Sequence, residues 1–334
     1  MDPCGKVKVY LESSQVVAGE YLKGHILINC NTDGHTVNLC CQGKESLKLT
    51  EKSGQSKDKN QTVFEDISTL SSKTQEIQEI FPFKLKVPKY APSSFTFSQY
   101  DEKHELRIEA QIEYKISVSI VSSVGKIAEK TLKFVVISPT VRQTVAKLSS
   151  VTNNLKSCWC FPRGSATISV NQIDENNSNA DHEYKYQLQI SSKANNKLES
   201  VVAQVIFEFF SKLPGQKSIR TRKTITRVVP NMKDFEKDLQ NSQDFSIELE
   251  FSMLDEENSE FYSVTSGHLF YSKVYLRICT IYDIGWRSKY FDLDHEVPVQ
   301  PKKHSIKVRN FEDDSTTHKQ KVITPKDTYA GQYS

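Results

Sequence analysis

From Ile108 to Ile120 every second residue is apolar. Ile108, Ala110, Ile112, Tyr114, Ile116, Val118 and Ile120 fall on one side of an extended chain, and Glu109, Gln111, Glu113, Lys115, Ser117 and Ser119 fall on the other. A helix would scatter these apolar side chains around its circumference, so the pattern demands an antiparallel strand with one buried and one wet face. Shorter alternations recur at Leu22, Gly24, Ile26 and Ile28, at Phe81, Phe83, Leu85 and Val87, and at Leu132, Phe134 and Val136. The second half continues with Tyr184 to Ile190, Val205 to Phe209, Ile247 to Phe251 and Val274 to Tyr282. Turn-forming clusters separate the runs, as in Asn31-Thr32-Asp33-Gly34, Lys212-Leu213-Pro214-Gly215 and Asp283-Ile284-Gly285. Only Asp234 to Asn241 has a short helical pattern. Many strands with few helices predict an all-β chain built from β-sandwiches.

The alternation lapses after Ser138-Pro139-Thr140, through a polar Ser/Thr/Asn-rich stretch over 140–157, and resumes at Ala166. Two immunoglobulin-like β-sandwich domains are expected, at 1–138 and 165–301, joined by a linker at 139–164. Beyond Pro301 the chain is charged and polar, so 302–334 is expected to be a disordered tail that buries too little surface to offset its ordering entropy. Residues 50–62 are polar and read as a mobile loop between strands.

Composition narrows the function classes. The 334 residues suit about two domains. Forty-four Lys and Arg against 41 Asp and Glu leave a formal charge of +3, too little basic excess for a nucleic-acid binder. No apolar run reaches the roughly 18 residues that a bilayer span requires. The opening Met1-Asp2-Pro3-Cys4-Gly5-Lys6 has no secretory-signal pattern. The cysteines (Cys4, Cys30, Cys40, Cys41, Cys158, Cys160 and Cys279) are odd in number and irregularly spaced, which favours a reduced cytosolic protein over a disulfide scaffold. Cys40 and Cys41 are strand neighbours on opposite faces and read as small buried hydrophobes.

The chain carries no HExxH, P-loop or GxSxG motif. His25, His35, His104, His182, His268, His295, His304 and His318 are scattered without metal-ligand spacing, so neither catalysis, a metal nor a cofactor is expected. Cys158-Trp159-Cys160-Phe161 lacks the second ligand pair of a zinc site. With its flanking aromatics it is a candidate for S-acylation at Cys158 and Cys160, or a plain linker segment. The run from Lys217 to Arg227 is the densest basic stretch. On a strand, Arg220 and Arg222 share one face and Lys223, Ile225 and Arg227 the other. Arg220 and Arg222 are candidate contacts for lipid headgroups or phosphates, or else cations guarding a sheet edge.

Several segments resemble the arrestin family, and within it the α-arrestins. Val7-Lys8-Val9-Tyr10-Leu11 resembles the family's first strand, and Val17-Ala18-Gly19-Glu20-Tyr21-Leu22-Lys23-Gly24 its "pGE-x-v-x-G" segment. Gly43-Lys44-Glu45 resembles a turn before the strand ending at Thr50. Phe81 to Pro88 with Ala91-Pro92-Ser93-Ser94-Phe95 resembles "fpFxfxlPxxlPsSf", and Ile112-Glu113-Tyr114-Lys115-Ile116 the "I-x-Y-x-v" strand. Each has its own physical reading: Gly19 suits a tight turn, Gly24 a strand position without a Cβ, and Pro88 and Pro92 a strand end. In the second half Cys158-Trp159-Cys160-Phe161 resembles a Cys-rich junction. Asn176-Asn177-Ser178-Asn179 stands where the family has a "y-x-p-G-E" turn.

The resemblance implies a cytosolic adaptor that binds the cytoplasmic tails of membrane proteins and peripherally touches the plasma membrane or endosomes during endocytic transport. It also implies that Lys6 and Lys8, on the first strand, are candidates for holding phosphorylated tails. Coat or ubiquitin-ligase components are further expected partners, although the PPxY motif that recruits WW-domain ligases is absent. The alternative is a structural retromer-type coat subunit with the same fold. An enzyme on a β-sandwich scaffold has no site in the sequence to support it.

Overall fold

The computed structural model describes residues 7–29, 35–70, 79–123, 125–139, 148–156, 162–173, 183–192, 198–211, 218–230, 244–252, 254–255, 260–261, 263–283, 288–297 and 299. The first half supplies β1 (Val7–Leu11), β2 (Gln15–Val17), β3 (Tyr21–Ile28), β4 (Thr36–Glu51), β5 (Ser56–Leu70), β6 (Glu79–Lys86), β7 (Phe95–Asp101), β8 (Leu106–Ser122) and β9 (Gly125–Ile137). They form a three-stranded sheet, β1-β3-β6, and a six-stranded sheet, β2-β9-β8-β4-β5, in which β7 also pairs with β8.

The second half supplies β10 (Leu148–Lys156), β11 (Pro162–Gln172), β12 (Glu183–Ser192), β13 (Leu198–Ser211), β14 (Ile219–Val228), β15 (Asp244–Ser252), β16 (Leu254–Asp255), β17 (Glu260–Phe261), β18 (Thr265–Ser266), β19 (Phe270–Asp283) and β20 (Ser288–Glu296). A four-stranded sheet runs β10-β11-β12-β15 and a five-stranded sheet β14-β13-β19-β18, with β20 on β19; β16 and β17 pair alone. The fold is all-β and consistent with a β-sandwich. Among the described residues no strand of β1–β9 pairs with one of β10–β20.

The long alternation governs the first half. In β8, Ile108, Ala110, Ile112, Tyr114, Ile116, Val118 and Ile120 are all buried, as the pattern requires. One edge of β8 pairs with β4 along its whole length. The other edge is divided, with Leu106–Ile112 taking β7 and Tyr114–Ser122 taking β9. That division explains why one strand is so long.

The segments around Pro92 interlock with it. The Tyr114 hydroxyl donates to the Pro92 carbonyl at 2.6 Å. The Ser93 and Ser94 hydroxyls accept the Ser138 and Val136 amides, each at 2.9 Å. Gly19, at φ +94°, turns the chain so that its amide reaches the Val87 carbonyl at 2.9 Å, while the Val87 amide returns to Glu20 at 3.0 Å. The Ser93 and Ser94 hydroxyls thus anchor the proline-bounded segment to the end of β9.

Three expectations need correction. Residues 50–62 are no loop: β4 and β5 continue through them as a hairpin whose turn is only Lys52 to Gln55. Cross-strand pairing, not burial, orders this polar arm. Gly43-Lys44-Glu45 is no turn either, but lies within β4, where the pairing to β5 shifts register between Gly43 and Lys44. Leu148–Lys156, inside the stretch read as linker, is strand β10. Its inward positions alternate polar Ser149 and Asn153 with apolar Val151 and Leu155, so no continuous hydrophobic period announces it. The helical pattern at 234–241, the turns at 31–34 and 212–215, and the tail at 302–334 lie outside the described residues, as does most of the stretch between 139 and 148.

Gly24 shows how closely the three-stranded sheet is packed. A Cβ there would run into the Tyr10 carbonyl oxygen of β1 and the Phe83 ring of β6. Gly24→Ala should therefore destabilise the protein by about 1–3 kcal/mol, as other overpacked sites do, measurable as a lower urea midpoint at unchanged m-value.

Candidate interaction site

The two groups of sheets meet through aromatic rings and two buried carboxyl groups. Phe95 and Phe97 of β7 pack on Phe207 and Phe209 of β13 and Phe270 of β19. Their ring centroids lie 5.3 Å apart for Phe95–Phe270, 5.2 Å for Phe97–Phe207 and 4.9 Å for Phe97–Phe209. All five are buried. Burying a Phe side chain contributes about 1.5–3 kcal/mol, so this cluster dominates the contact.

Glu45, 0% exposed, reaches across from the middle of β4. It accepts the backbone amides of His268 at 2.9 Å, Leu269 at 2.9 Å and Phe270 at 3.3 Å. Gly267 leaves the room, since a Cβ there would overlap the Glu45 carboxyl group. Beside it the Thr265 hydroxyl donates to the Ser93 carbonyl at 2.9 Å, tying the Pro-Ser-Ser segment to the second half. At the other end of β7, Asp101 accepts the Thr221 hydroxyl from β14 and the His104 backbone amide at 3.1 Å. Burial would raise the Asp101 pKa, but the hydrogen bonds from Thr221 and His104 outweigh it and hold it low.

Arg220 and Arg222 come together at the rim of this contact. On the solvent face of the five-stranded sheet, β14 places Arg222 directly opposite Glu208 and Arg220 opposite Phe210. Arg220 donates to both Glu208 oxygens, at 3.0 and 2.8 Å, and the Arg222 Nε donates at 2.7 Å. The Glu208 side chain is 6% exposed, whereas those of Arg220 and Arg222 are 55% and 46% exposed. Burial alone would raise the Glu208 pKa; the two guanidiniums reverse this and lower it. A cleft of about 590 Å³ opens here between Asp101 and Tyr100 on one wall and Arg220 and Arg222 on the other.

The two arginines thus share a face as expected, but Arg227 does not share one with Lys223. The ladder shifts between Val205 and Ile206, leaving Ile225 unpaired. Arg227 then lies opposite Gln204, on the same face as Arg220 and Arg222, and Lys223 lies opposite Phe207 on the inward face. Lys8 sits elsewhere, on β1 opposite Leu27, partly buried. Lys6, Cys158 and Cys160 lie outside the described residues. Cys41 is buried and its thiol is pushed up to about 12 by burial, in keeping with a small apolar role; Cys40 is only partly buried.

Sequence reasoning passed over the carboxylates that organise the site. The available signal was a lone acid in an otherwise apolar run, Val205-Ile206-Phe207-Glu208-Phe209-Phe210, because such a residue must find buried partners. A second missed group is His295, 1% exposed, whose Nδ1 lies 2.8 Å from the Ser149 hydroxyl of β10. Its Nε2 is buried without a hydrogen-bond partner, and its ring packs edge-on against Tyr186 at 5.3 Å. In a nucleophilic triad a third group orients the imidazole through its second nitrogen. Here that nitrogen has no partner, and the pair with Ser149 links β10 to β20.

No protein-family model matches the chain, and no curated protein matches it. No helix among the described residues is long and apolar enough to cross a membrane.

Two outcomes follow from the buried polar groups. Glu45→Ala leaves three amides without their acceptor and should cost about 3 kcal/mol or more in a denaturant titration, with Glu45→Gln costing less. Burial holds the His295 pKa below 6.5, against the opposing charge of Glu296. The unfolded chain therefore takes up a proton that the folded chain refuses, so this stability is present above pH 6.5 and lost as pH falls towards the folded value. The melting temperature should drop from pH 8 to pH 5.5, and His295→Phe should flatten the drop. His25, whose pKa is also lowered by burial, accounts for the remaining slope.

Proposed function

We propose that this chain is an arrestin-like adaptor, made of two immunoglobulin-like β-sandwiches, that binds cytoplasmic tails of membrane proteins at a membrane surface. The observation that carries the reading is the interlocking of the family-like segments. Gly19 and Glu20 bond Val87, the Pro88 carbonyl accepts the Ala91 amide, Tyr114 donates to Pro92, and Thr265 of the second half donates to Ser93. Segments matched by chance would have no reason to converge on one stretch, Val87 to Ser94, that also joins the halves.

Docking needs edges and charge. β14 ends its sheet, pairing only with β13 among the described residues although β16 lies close to it, and an extended peptide would add along the edge left unpaired. The exposed guanidinium groups of Arg220 and Arg222 flank that edge, although Glu208 balances half of their charge. Arg227 adds an exposed cation on the same face. An acidic or phosphorylated tail fits there better than a basic one.

The test is affinity purification of the tagged full chain from gently lysed cells, with partners identified by mass spectrometry. A matched variant, Arg220→Gln/Arg222→Gln/Glu208→Gln, removes the cluster's charge without leaving Glu208 buried and unpaired. Substoichiometric transmembrane proteins should be recovered with the wild type and fall at least several-fold with the variant. A stoichiometric set of soluble coat subunits, equally recovered with both, would overturn the adaptor reading in favour of the coat-subunit alternative.

A further inference from the structure

The solvent face of the three-stranded sheet sets cations side by side, with fewer acids among them than the other sheets have. Across the paired strands, exposed charges generally meet opposite charges. Lys185 faces Glu250 at 3.0 Å, Arg277 faces Asp294 at 2.7 Å and Lys273 reaches Glu296 at 2.9 Å. Lys115 and Lys133 lie directly opposite each other, but Glu113 holds Lys133. On the outer face of β3 and β6, Lys23 lies directly opposite Lys84, and the next row sets Tyr21 opposite Lys86. Like charges directly across a ladder destabilise a sheet.

Glu12, whose amide donates to the Lys23 carbonyl at 3.0 Å, continues the β1–β3 register opposite Lys23, while Lys84 and Lys86 of β6 have no acid opposite them among the described residues. Lys23, Lys84 and Lys86 are exposed, and none makes an ion pair. The Tyr21 ring offers the two β6 lysines partial relief, with Lys84 Nζ 4.2 Å and Lys86 Nζ 5.8 Å from its centroid. The adjoining turn adds Lys89, whose stem lies against Gly19, and Tyr90. Among the described residues, Glu12 opposite Lys23 and Glu20 in the turn before β3 adjoin these segments, two acids beside four ammonium groups. Tyr21 and Tyr90 are 45% and 69% exposed.

We propose that this patch, Tyr21, Lys23, Lys84, Lys86, Lys89 and Tyr90, is the surface by which the protein lies on an anionic phospholipid bilayer. The inference rests on the membrane-surface reading above and assigns the contact to a face other than the Arg220–Arg222 rim. Charge complementarity selects the occupant: a bilayer presents many anions in a plane, and a flat sheet face meets it with all its lysines together. Tyrosines with exposed rings and polar tips sit at headgroup depth. Point-charge ammonium groups spread over two strands and a turn suit a diffuse anionic plane better than the forked recognition of one phosphate group, for which arginine is built. The repulsion between Lys23 and Lys84 is relieved on docking, so the face is less favourable free than bound.

The experiment is co-sedimentation of the full chain with phosphatidylcholine vesicles, with and without about one-third phosphatidylserine. Each lysine at such a surface changes partition by about fivefold. Lys84→Glu/Lys86→Glu should therefore reduce binding to the anionic vesicles more than tenfold, Lys84→Arg/Lys86→Arg should retain it, and Tyr21→Ser/Tyr90→Ser should weaken it. A thermal melt of each variant close to that of the wild type separates lost binding from lost folding. If the charge-reversed protein binds as the wild type does, the patch is wrong; loss in Arg220→Gln/Arg222→Gln/Glu208→Gln instead would leave the membrane-surface reading intact. No wild-type binding to anionic vesicles would overturn both. Patch-dependent binding to a soluble phosphoserine-rich peptide without binding to vesicles would overturn the bilayer assignment in favour of an acidic tail.

Discussion

The arrangement of the halves depends on one buried carboxyl group meeting three backbone amides. Phe95, Phe97, Phe207, Phe209 and Phe270 supply the attraction, but apolar contact is non-directional and would tolerate sliding. Glu45 removes that freedom, because the amides of His268, Leu269 and Phe270 satisfy it in one position only. Gly267 permits the approach, and the Thr265–Ser93 bond fixes a second point nearby. Attraction and register thus come from different residues. Asp101 with Thr221 repeats the device at the far end of β7.

From that contact outward, charge is handled differently on the two exposed sheet faces. On the five-stranded sheet, Glu208 gathers Arg220 and Arg222, Lys273 meets Glu296 and Arg277 meets Asp294, so most cations are spoken for by the protein itself. On the three-stranded sheet, Lys84 and Lys86 lie over the Tyr21 ring and make no ion pair among the described residues, and Lys23 lies between Lys84 and Glu12. The densest basic run in the sequence is therefore the more neutral surface in three dimensions. Dispersed lysines, inconspicuous in the sequence, assemble into the more cationic one.

That reversal marks what was legible beforehand. The period-two runs revealed the strands, because burial of one face forces alternation, and β8 follows its pattern residue by residue. The roles of Gly19 and Gly24 were also visible, since each meets a geometric demand that only glycine satisfies. Strand β10 was hidden because Ser149 and Asn153 interrupt its inward row, and the β4–β5 arm because it is held by pairing, with little burial. Cross-strand neighbours set the chemistry of Arg220, Arg222 and Lys84. A register shift at Ile225, which moved Arg227 to the other face, leaves no trace in composition or periodicity.

Glu45 and its donors are separated by 223 to 225 residues. At ordinary translation speeds of about 5–20 residues per second, roughly 10–45 s pass between the synthesis of the acceptor and that of its amides. Within that interval, from the synthesis of Phe97 until that of Phe207, Phe95 and Phe97 have no partner ring from the second half to cover them, and until Phe270 is made the cover is incomplete, with a charged side chain in the middle of the bare face. The nascent first half therefore leaves the ribosome with an aromatic surface open to solvent. Glu45 then serves a second purpose, since a charge set among uncovered rings discourages their association with the same surface on a neighbouring nascent chain.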